Sequence, residues 1–282
     1  MPFFPLRDHN PAHRLPIVTF GIIGLNVIML VWLMQLAPLR QELVVYERGF
    51  VPARIGAMFT GRALEVRIDQ SATDRRTGRR LIVEHAVRLD PSPRAVLASL
   101  ITTMFLHAGV AHLLGNMWFL LIFGNNVEDR LGHLPFLVFY LVGGLLATTG
   151  HWLQEPGSLT PVIGASGAVA SVLGAYAVTW PWARIHTLLL MGCIPLFFDF
   201  PALVVLGVWF LAQLLSARER MGIDMSGGVA FLAHVCGFVA GAALMPLARR
   251  VIPDRSPRPA PQHFDDETPQ YIDERWDPDR YS

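Results

Sequence analysis

The sequence predicts an all-α polytopic membrane protein, six transmembrane helices in a bundle with a long extramembrane connection after the first. Three observations carry this. Of 282 residues, 52% are hydrophobic and only 16% charged, where a soluble domain holds roughly 25% charged residues. The apolar residues gather into long uncharged runs, the pattern of segments that cross hydrocarbon. Polar and small residues recur inside those runs at spacings that share one helical face. The formal charge of +1 gives no case for a nucleic-acid partner, so the expected surroundings are a lipid bilayer. All 23 basic positions are Arg, which we read as genome composition.

Residues 1–14 read as a short polar, proline-containing N-terminal tail. Leu15–Leu36 is the first span. It is too long for a signal-peptide core and lacks a convincing small-residue cleavage site, so it is expected to be retained. Residues 37–94 form an extramembrane loop with eleven arginines. Within it Leu64-Glu65-Val66-Arg67-Ile68 alternates apolar and polar, and Val83–Leu89 does so more loosely. The turn-like Thr73–Gly78 lies between them, which reads as a small β-hairpin.

Ala95–Val127 contains no Asp, Glu, Lys or Arg and is too long for one span. Ala95–Leu106 is therefore a lead-in segment, and the second span runs from Gly109 to just before Glu128-Asp129-Arg130. Leu134–Leu153 is the third span, followed by the turn Glu155-Pro156-Gly157-Ser158. Pro161–Val178 is the fourth, closed by Trp180-Pro181-Trp182. Ile185–Phe198 is only fourteen residues, interrupted by Pro195. That is short for a crossing, so it reads as interfacial. Ala202–Leu215 is the fifth span and Gly227–Ala248 the sixth. Residues 249–282, rich in Pro, Asp and Arg, read as a disordered C-terminal tail. The membrane domain is thus 15–248. Cys193 and Cys236 lie in apolar surroundings without metal-ligand spacing and read as small hydrophobes.

Six spans put both termini on one side, and the arginines of the two tails favour the inner side. Spans four and six then both begin at the outer face. Ser166 follows Pro161 by five residues and His234 follows Gly227 by seven, about 8–10 Å along each helix. The two can meet at one level. An extra crossing by Ile185–Phe198 would reverse span six and part them.

A polar side chain in hydrocarbon needs a partner or a watery cavity. Gly164 and Gly167 beside Ser166 read as helix-packing residues, serine so placed is commonly one too, and its hydroxyl needs a base to become a nucleophile. His234 can be that base. Alone it could equally serve a transporter's proton path. Gly237 and Gly241 follow it on one face and permit close helix approach. Ala170 and Gly174 offer a similar face on span four. His112 and Asn116, at i and i+4, also share a face. They could hold a developing oxyanion together with the Ser166 backbone N–H, or simply tie span two to a neighbour.

Together these residues resemble the rhomboid family of intramembrane serine proteases. The matching elements are H-x-x-x-N at His112 and Asn116, G-x-S-G at Gly164, Ser166 and Gly167, and A-H-x-x-G-x-x-x-G at Ala233, His234, Gly237 and Gly241. They fall in the family's order on spans two, four and six, within a resemblance covering roughly Leu15–Ala248. The resemblance implies a six-helix bundle with a Ser166–His234 dyad and an oxyanion site at His112 and Asn116. It implies transmembrane protein substrates cut near the outer face, with no cofactor and no metal. It also implies a multi-pass protein of the bacterial inner membrane with cytoplasmic termini. The Trp-Arg pair often found between the family's first two spans does not occur between Ala37 and Arg94, and Tyr176 is given no catalytic role. Two other classes fit parts of the pattern. A non-catalytic rhomboid-like protein would bind membrane clients, though such proteins usually lack the serine or the histidine. A transporter would show internal repeats and more intramembrane carboxylates than this chain has.

Overall fold

Where a chain of this composition meets lipid, helices satisfy its backbone internally, and helices dominate the computed structural model, which describes residues 3–73, 80–191, 194–220 and 231–253. In order, strand β1 (Phe3–Asp8) leads into helices α1 (Ile17–Met34), α2 (Pro38–Arg48) and α3 (Ala53–Thr60). Strands β2 (Leu64–Thr73) and β3 (Arg80–Leu89) follow, then α4 (Pro93–Thr102), which ends in a 3₁₀ turn at Thr103–Phe105. Helices α5 (Val110–Leu131), α6 (His133–Gln154) and α7 (Ser166–Thr179) come next. Strands β4 (Arg184–Met191) and β5 (Ile194–Pro201) and helices α8 (Ala202–Arg220) and α9 (Phe231–Val251) complete the described chain. Helices α1, α5, α6 and α9 are long and apolar enough to cross a membrane, and α7, Pro93–Phe105 and the Ala202–Ser216 part of α8 are shorter apolar helices.

Among the described residues two sheets accompany the helices, where the sequence offered one small β-hairpin in residues 37–94. Residues 3–8 are no tail: β1 pairs antiparallel with β4, Phe3 opposite Leu189 and Asp8 opposite Ile185. The segment read as interfacial, Ile185–Phe198, is the antiparallel hairpin β4–β5, with Ile185 opposite Phe200 and Leu190 opposite Pro195. Pro195 is tolerated because β5 is an edge strand of the order β1-β4-β5 and needs no ladder bond outward. β4 ends in the continuous apolar run Leu188-Leu189-Leu190-Met191, which offers no period-2 alternation to read. In the first extramembrane connection β2 pairs with β3 from Leu64 opposite Leu89 to Thr73 opposite Arg80. Val66, Ile68, Val87 and Leu89 turn one face onto Val51. The turn-like residues 74–79 lie outside the described residues, as do Cys193, Gly227 and most of the C-terminal tail.

Helix ends differ from expectation for identifiable reasons. α7 begins at Ser166 rather than Pro161. The preceding backbone is pinned elsewhere: Phe50 and Val162 exchange both N–H···O bonds (3.2 and 2.8 Å) and the Gly164 N–H donates to the Thr103 carbonyl (2.9 Å). Gly164 itself has φ +121°, a conformation a side chain rarely allows. α5 runs through Glu128-Asp129-Arg130 to Leu131 because Glu128 is used inside the fold. Its carboxylate accepts the N–H groups of Val18 (2.9 Å) and Thr19 (2.7 Å) and the Thr19 hydroxyl. This satisfies orphan donors at the head of α1, whose own cap residue, Pro16, supplies no side-chain bond. α9 continues past Arg249-Arg250 to Val251.

The helices alternate in direction. On α7 and α9 the paired positions rise together, Gly167 against Gly237 and Ser171 against Gly241, so these two helices are parallel. α5 is parallel to them, with His112 beside Gly164 and Phe123 beside Tyr176 at 5.0 Å between ring centroids. α6 opposes α7, Gly143 meeting Ser171 and Ala147 meeting Gly167. α8 opposes α9, Gln213 meeting His234 and Phe210 meeting Phe238. One end therefore collects the heads of α5, α7 and α9 with the 37–94 connection. The other collects the β1-β4-β5 sheet, tied in by Asp8, which accepts from the Tyr176 hydroxyl (2.8 Å) and the Asn126 amide. Burial pushes the Asp8 carboxyl above the usual carboxylate range, against the lowering effect of the Tyr176 bond.

Candidate active site

The site is built on the close backbone packing of α7 against α9. A Cβ on Gly237 would fall on the Gly167 carbonyl, one on Gly241 on the Ser171 carbonyl, and one on Gly174 on the Phe238 carbonyl. Glycine at these three places lets two helix backbones touch. The turn carrying Ser166 is thereby seated against the turn carrying His234, with the Ala233 carbonyl 3.9 Å from the Cβ position of Gly167. Ser166 is the first residue of α7, so its backbone N–H is one of the donors that no helical carbonyl takes up.

Gly164 differs from the packing role read for it. It lies outside the helix, and its positive φ turns the chain into α7. The Cβ it lacks would come within 2.8 and 2.9 Å of the His112 Cε1 and Nε2 atoms and 3.7 Å of the Ser166 hydroxyl oxygen. His112 and Ser166 thus flank one small space that any side chain at 164 would fill. Asn116, one turn further along α5, is buried and donates its amide to Nε2 of His107 (3.0 Å). The same nitrogen faces the Ala165 N–H at 3.5 Å. The rings of His107 and His112 meet edge to face, centroids 5.0 Å apart.

His234 is 8% exposed. Its Nδ1 bonds Oε1 of Gln213 on α8 at 2.7 Å. An amide oxygen only accepts, so Nδ1 carries the proton and Nε2 is left with its lone pair. Trp209 and Phe231 flank the imidazole at 6.2 and 6.1 Å between ring centroids. The structure therefore gathers Ser166, His112, Asn116 and His234 at the heads of three parallel helices, and the bond from His234 Nδ1 goes to Gln213.

Sequence reasoning missed Gln213 and His107. Gln213 was detectable by the argument that found His234, since it is a lone amide in the uncharged run of α8. His107 precedes α5 in irregular chain, where helical spacing carries no signal.

Four helices long and apolar enough to cross a membrane, packed around this polar cluster, fit a multi-pass membrane protein. A family model described as the Rhomboid domain matches residues 94–251, more than half of the chain, and the chain belongs to the rhomboid family. Rhomboid-like protease 3 of Toxoplasma gondii is 29% identical over 156 residues, 55% of this chain and 52% of that protein. Rhomboid-like protein 11, chloroplastic, of Arabidopsis thaliana is 37% identical over 98 residues, 33% of this chain and 34% of that protein. Presenilin-associated rhomboid-like protein A, mitochondrial, of Danio rerio is 31% identical over 103 residues, 36% of this chain and 27% of that protein. The matched part of this chain spans between about a quarter and a half of the length of these relatives.

Proposed function

We propose that the chain is an intramembrane serine endopeptidase that cuts transmembrane protein substrates near the outer face of the membrane. The observation that carries this reading is the parallel, glycine-lined contact of α7 and α9, which sets the Ser166 turn against the His234 turn. In this reading α1, α5, α6, α7, α8 and α9 are the six membrane-embedded helices. Both termini face the cytoplasm of a bacterium whose inner membrane holds the protein.

The chemistry follows from the donors and acceptors in place. The Ser166 oxygen attacks the scissile carbonyl while Nε2 of His234 takes the hydroxyl proton. Gln213 holds the proton on Nδ1, keeping the tautomer that makes Nε2 a base. Negative charge develops on the carbonyl oxygen. Its donors are the Ser166 backbone N–H, the Asn116 amide hydrogen not used by His107, and His112. His234 then protonates the departing amine, leaving an acyl-enzyme on Ser166. Water, deprotonated by His234, attacks the ester and releases the second product.

The test is a reconstituted cleavage assay on a transmembrane substrate. Ser166→Ala and His234→Ala each abolish cleavage, by the order of 10⁴-fold or more, and a fluorophosphonate probe labels Ser166 of the wild type. Cleavage that survives Ser166→Ala would overturn the reading. A client-binding protein would keep its function in that variant.

A further inference from the structure

Away from the dyad, at the opposite end of the bundle, three metal-ligating side chains converge on the sheet. His9 follows β1, His186 lies on β4 and Asp199 on β5. Nδ1 of His186 is 2.8 Å from Oδ1 of Asp199, and Nε2 of His9 is 3.3 Å from the same oxygen. One ligand atom from each residue lies within 4.8 Å of the other two. In a tetrahedral site with bonds of about 2.0–2.1 Å, neighbouring ligand atoms stand about 3.3 Å apart. The cluster brackets that spacing, and a small change of side-chain torsion closes it.

The scaffold beneath the cluster is ordered by the fold. His186 and Asp199 are direct cross-strand partners, so their side chains share one face of the sheet. The His9 N–H donates to the Arg184 carbonyl (2.9 Å), which extends the β1–β4 pairing to His9. The His186 ring stacks on Phe197 with an interplanar angle of 5° and centroids 5.7 Å apart, which limits its rotation. β1 is itself fastened to the bundle, its Pro5 carbonyl accepting from the Trp118 indole N–H at 2.7 Å. Three ligands therefore come from three neighbouring strands, on backbone that pairing already holds.

We propose that His9, His186 and Asp199 form a binding site for a borderline transition-metal dication of the zinc class, which staples β1 to the β4–β5 hairpin. Two imidazoles and one carboxylate select zinc, cobalt, nickel or copper over magnesium and calcium, whose sites are built from oxygen ligands. Three protein ligands leave a fourth position for water, the composition of an open site. This site is independent of Ser166 and His234, so its fate and that of the proposed protease are separable.

The experiment uses the full, untagged chain in detergent. Zinc is titrated against a chromophoric chelator, and cobalt is followed by its visible ligand-field absorption. One equivalent binds with a dissociation constant on the order of micromolar or tighter, while magnesium and calcium do not compete. Cobalt-edge X-ray absorption of the loaded wild type shows scattering from two imidazoles. His9→Ala, His186→Ala and Asp199→Asn each weaken zinc by more than about tenfold, because even outer-shell partners of a metal ligand contribute 10–100-fold. Zinc raises the melting temperature of the wild type and not of the three variants, whose melting temperatures in chelator match the wild type's. Should the His9→Ala/His186→Ala double variant bind zinc as the wild type does, the site is refuted. Absence of two-imidazole scattering in the wild type refutes it without recourse to any variant.

Discussion

A neutral imidazole has two tautomers, and only one of them makes His234 a base toward Ser166. The Gln213 oxygen at 2.7 Å from Nδ1 selects it, so Gln213 is a positioning residue in the proposed mechanism. Its replacement by Leu leaves a buried N–H without an acceptor, which costs about 1–3 kcal/mol. Gln213→Leu therefore lowers kcat by about 10- to 100-fold with KM little changed. Gln213→Glu restores the acceptor and adds a negative charge beside the imidazole. His112 on α5 is also within electrostatic reach of His234 and is unchanged in both variants. An adjacent carboxylate favours the protonated imidazole, and a protonated His234 is no base. The acidic limb of the kcat profile in Gln213→Glu thus moves to higher pH by about one unit or more, while activity above that limb returns. A purely structural Gln213 would move neither the limb nor the rescue. Ser166 and His234 stand out in the sequence as candidates because hydrocarbon makes any polar side chain conspicuous. His107 does not, since its partners Asn116 and Ala165 lie across a turn whose path no local pattern records.

At the scale of elements, the α7/α9 contact decides whether the site exists. Gly237 and Gly241 were readable as a face that permits close approach. The face read on α7, Ala170 and Gly174, does meet α9, with the Ala170 Cβ 3.2 Å from the Cβ position of Gly237 and Gly174 against the Phe238 carbonyl, while the carbonyls of Gly167 and Ser171 receive Gly237 and Gly241. Spacing names a small face, but the register between two helices is set by tertiary packing. Gly241→Ala places a methyl group on the Ser171 carbonyl, a backbone atom that no rotamer change can move. The helices must part or slide. Overpacking of this kind costs about 1–3 kcal/mol, and a displacement near 1 Å at reacting groups costs about 10²-fold in rate. Gly241→Ala is therefore expected to fold with a lowered melting temperature and to lose about 100-fold in kcat. Gly21 is the control, because a Cβ there meets nothing within 4 Å. Gly21→Ala keeps both stability and activity. Equal activity in the two variants would show that the seam does not set the dyad.

For the whole molecule, the sequence made the helical bundle legible and left the second sheet unread. The four long apolar helices α1, α5, α6 and α9 announce themselves by length and hydropathy. A three-stranded sheet joining residues 3–8 to residues 184–201 depends on pairing across most of the chain, which no local period encodes. Its consequence is topological. Because the β4–β5 segment turns back on itself, α7 and α9 stay parallel, as the site requires. The same fold separates the two sheets, with β2–β3 at the end holding the heads of α5, α7 and α9 and β1-β4-β5 at the other. Arg7, Arg14, Arg130, Arg184, Arg249 and Arg250 lie in the elements and connections of the second end, and short basic segments are retained on the cytoplasmic side. The arginines of residues 37–94 weigh less, because long connections translocate with little regard to charge. The β2–β3 hairpin should therefore face outward and the β1 strand inward. In a background with Cys193→Ser and Cys236→Ser, an impermeant maleimide applied to intact cells labels a cysteine placed at the exposed Glu65 position. A cysteine at the exposed Arg7 position is labelled only after the membrane is opened. Labelling of both from one side would mean that the two sheets share a compartment, and the alternation of helices that brings Ser166 and His234 to one level would fail with it.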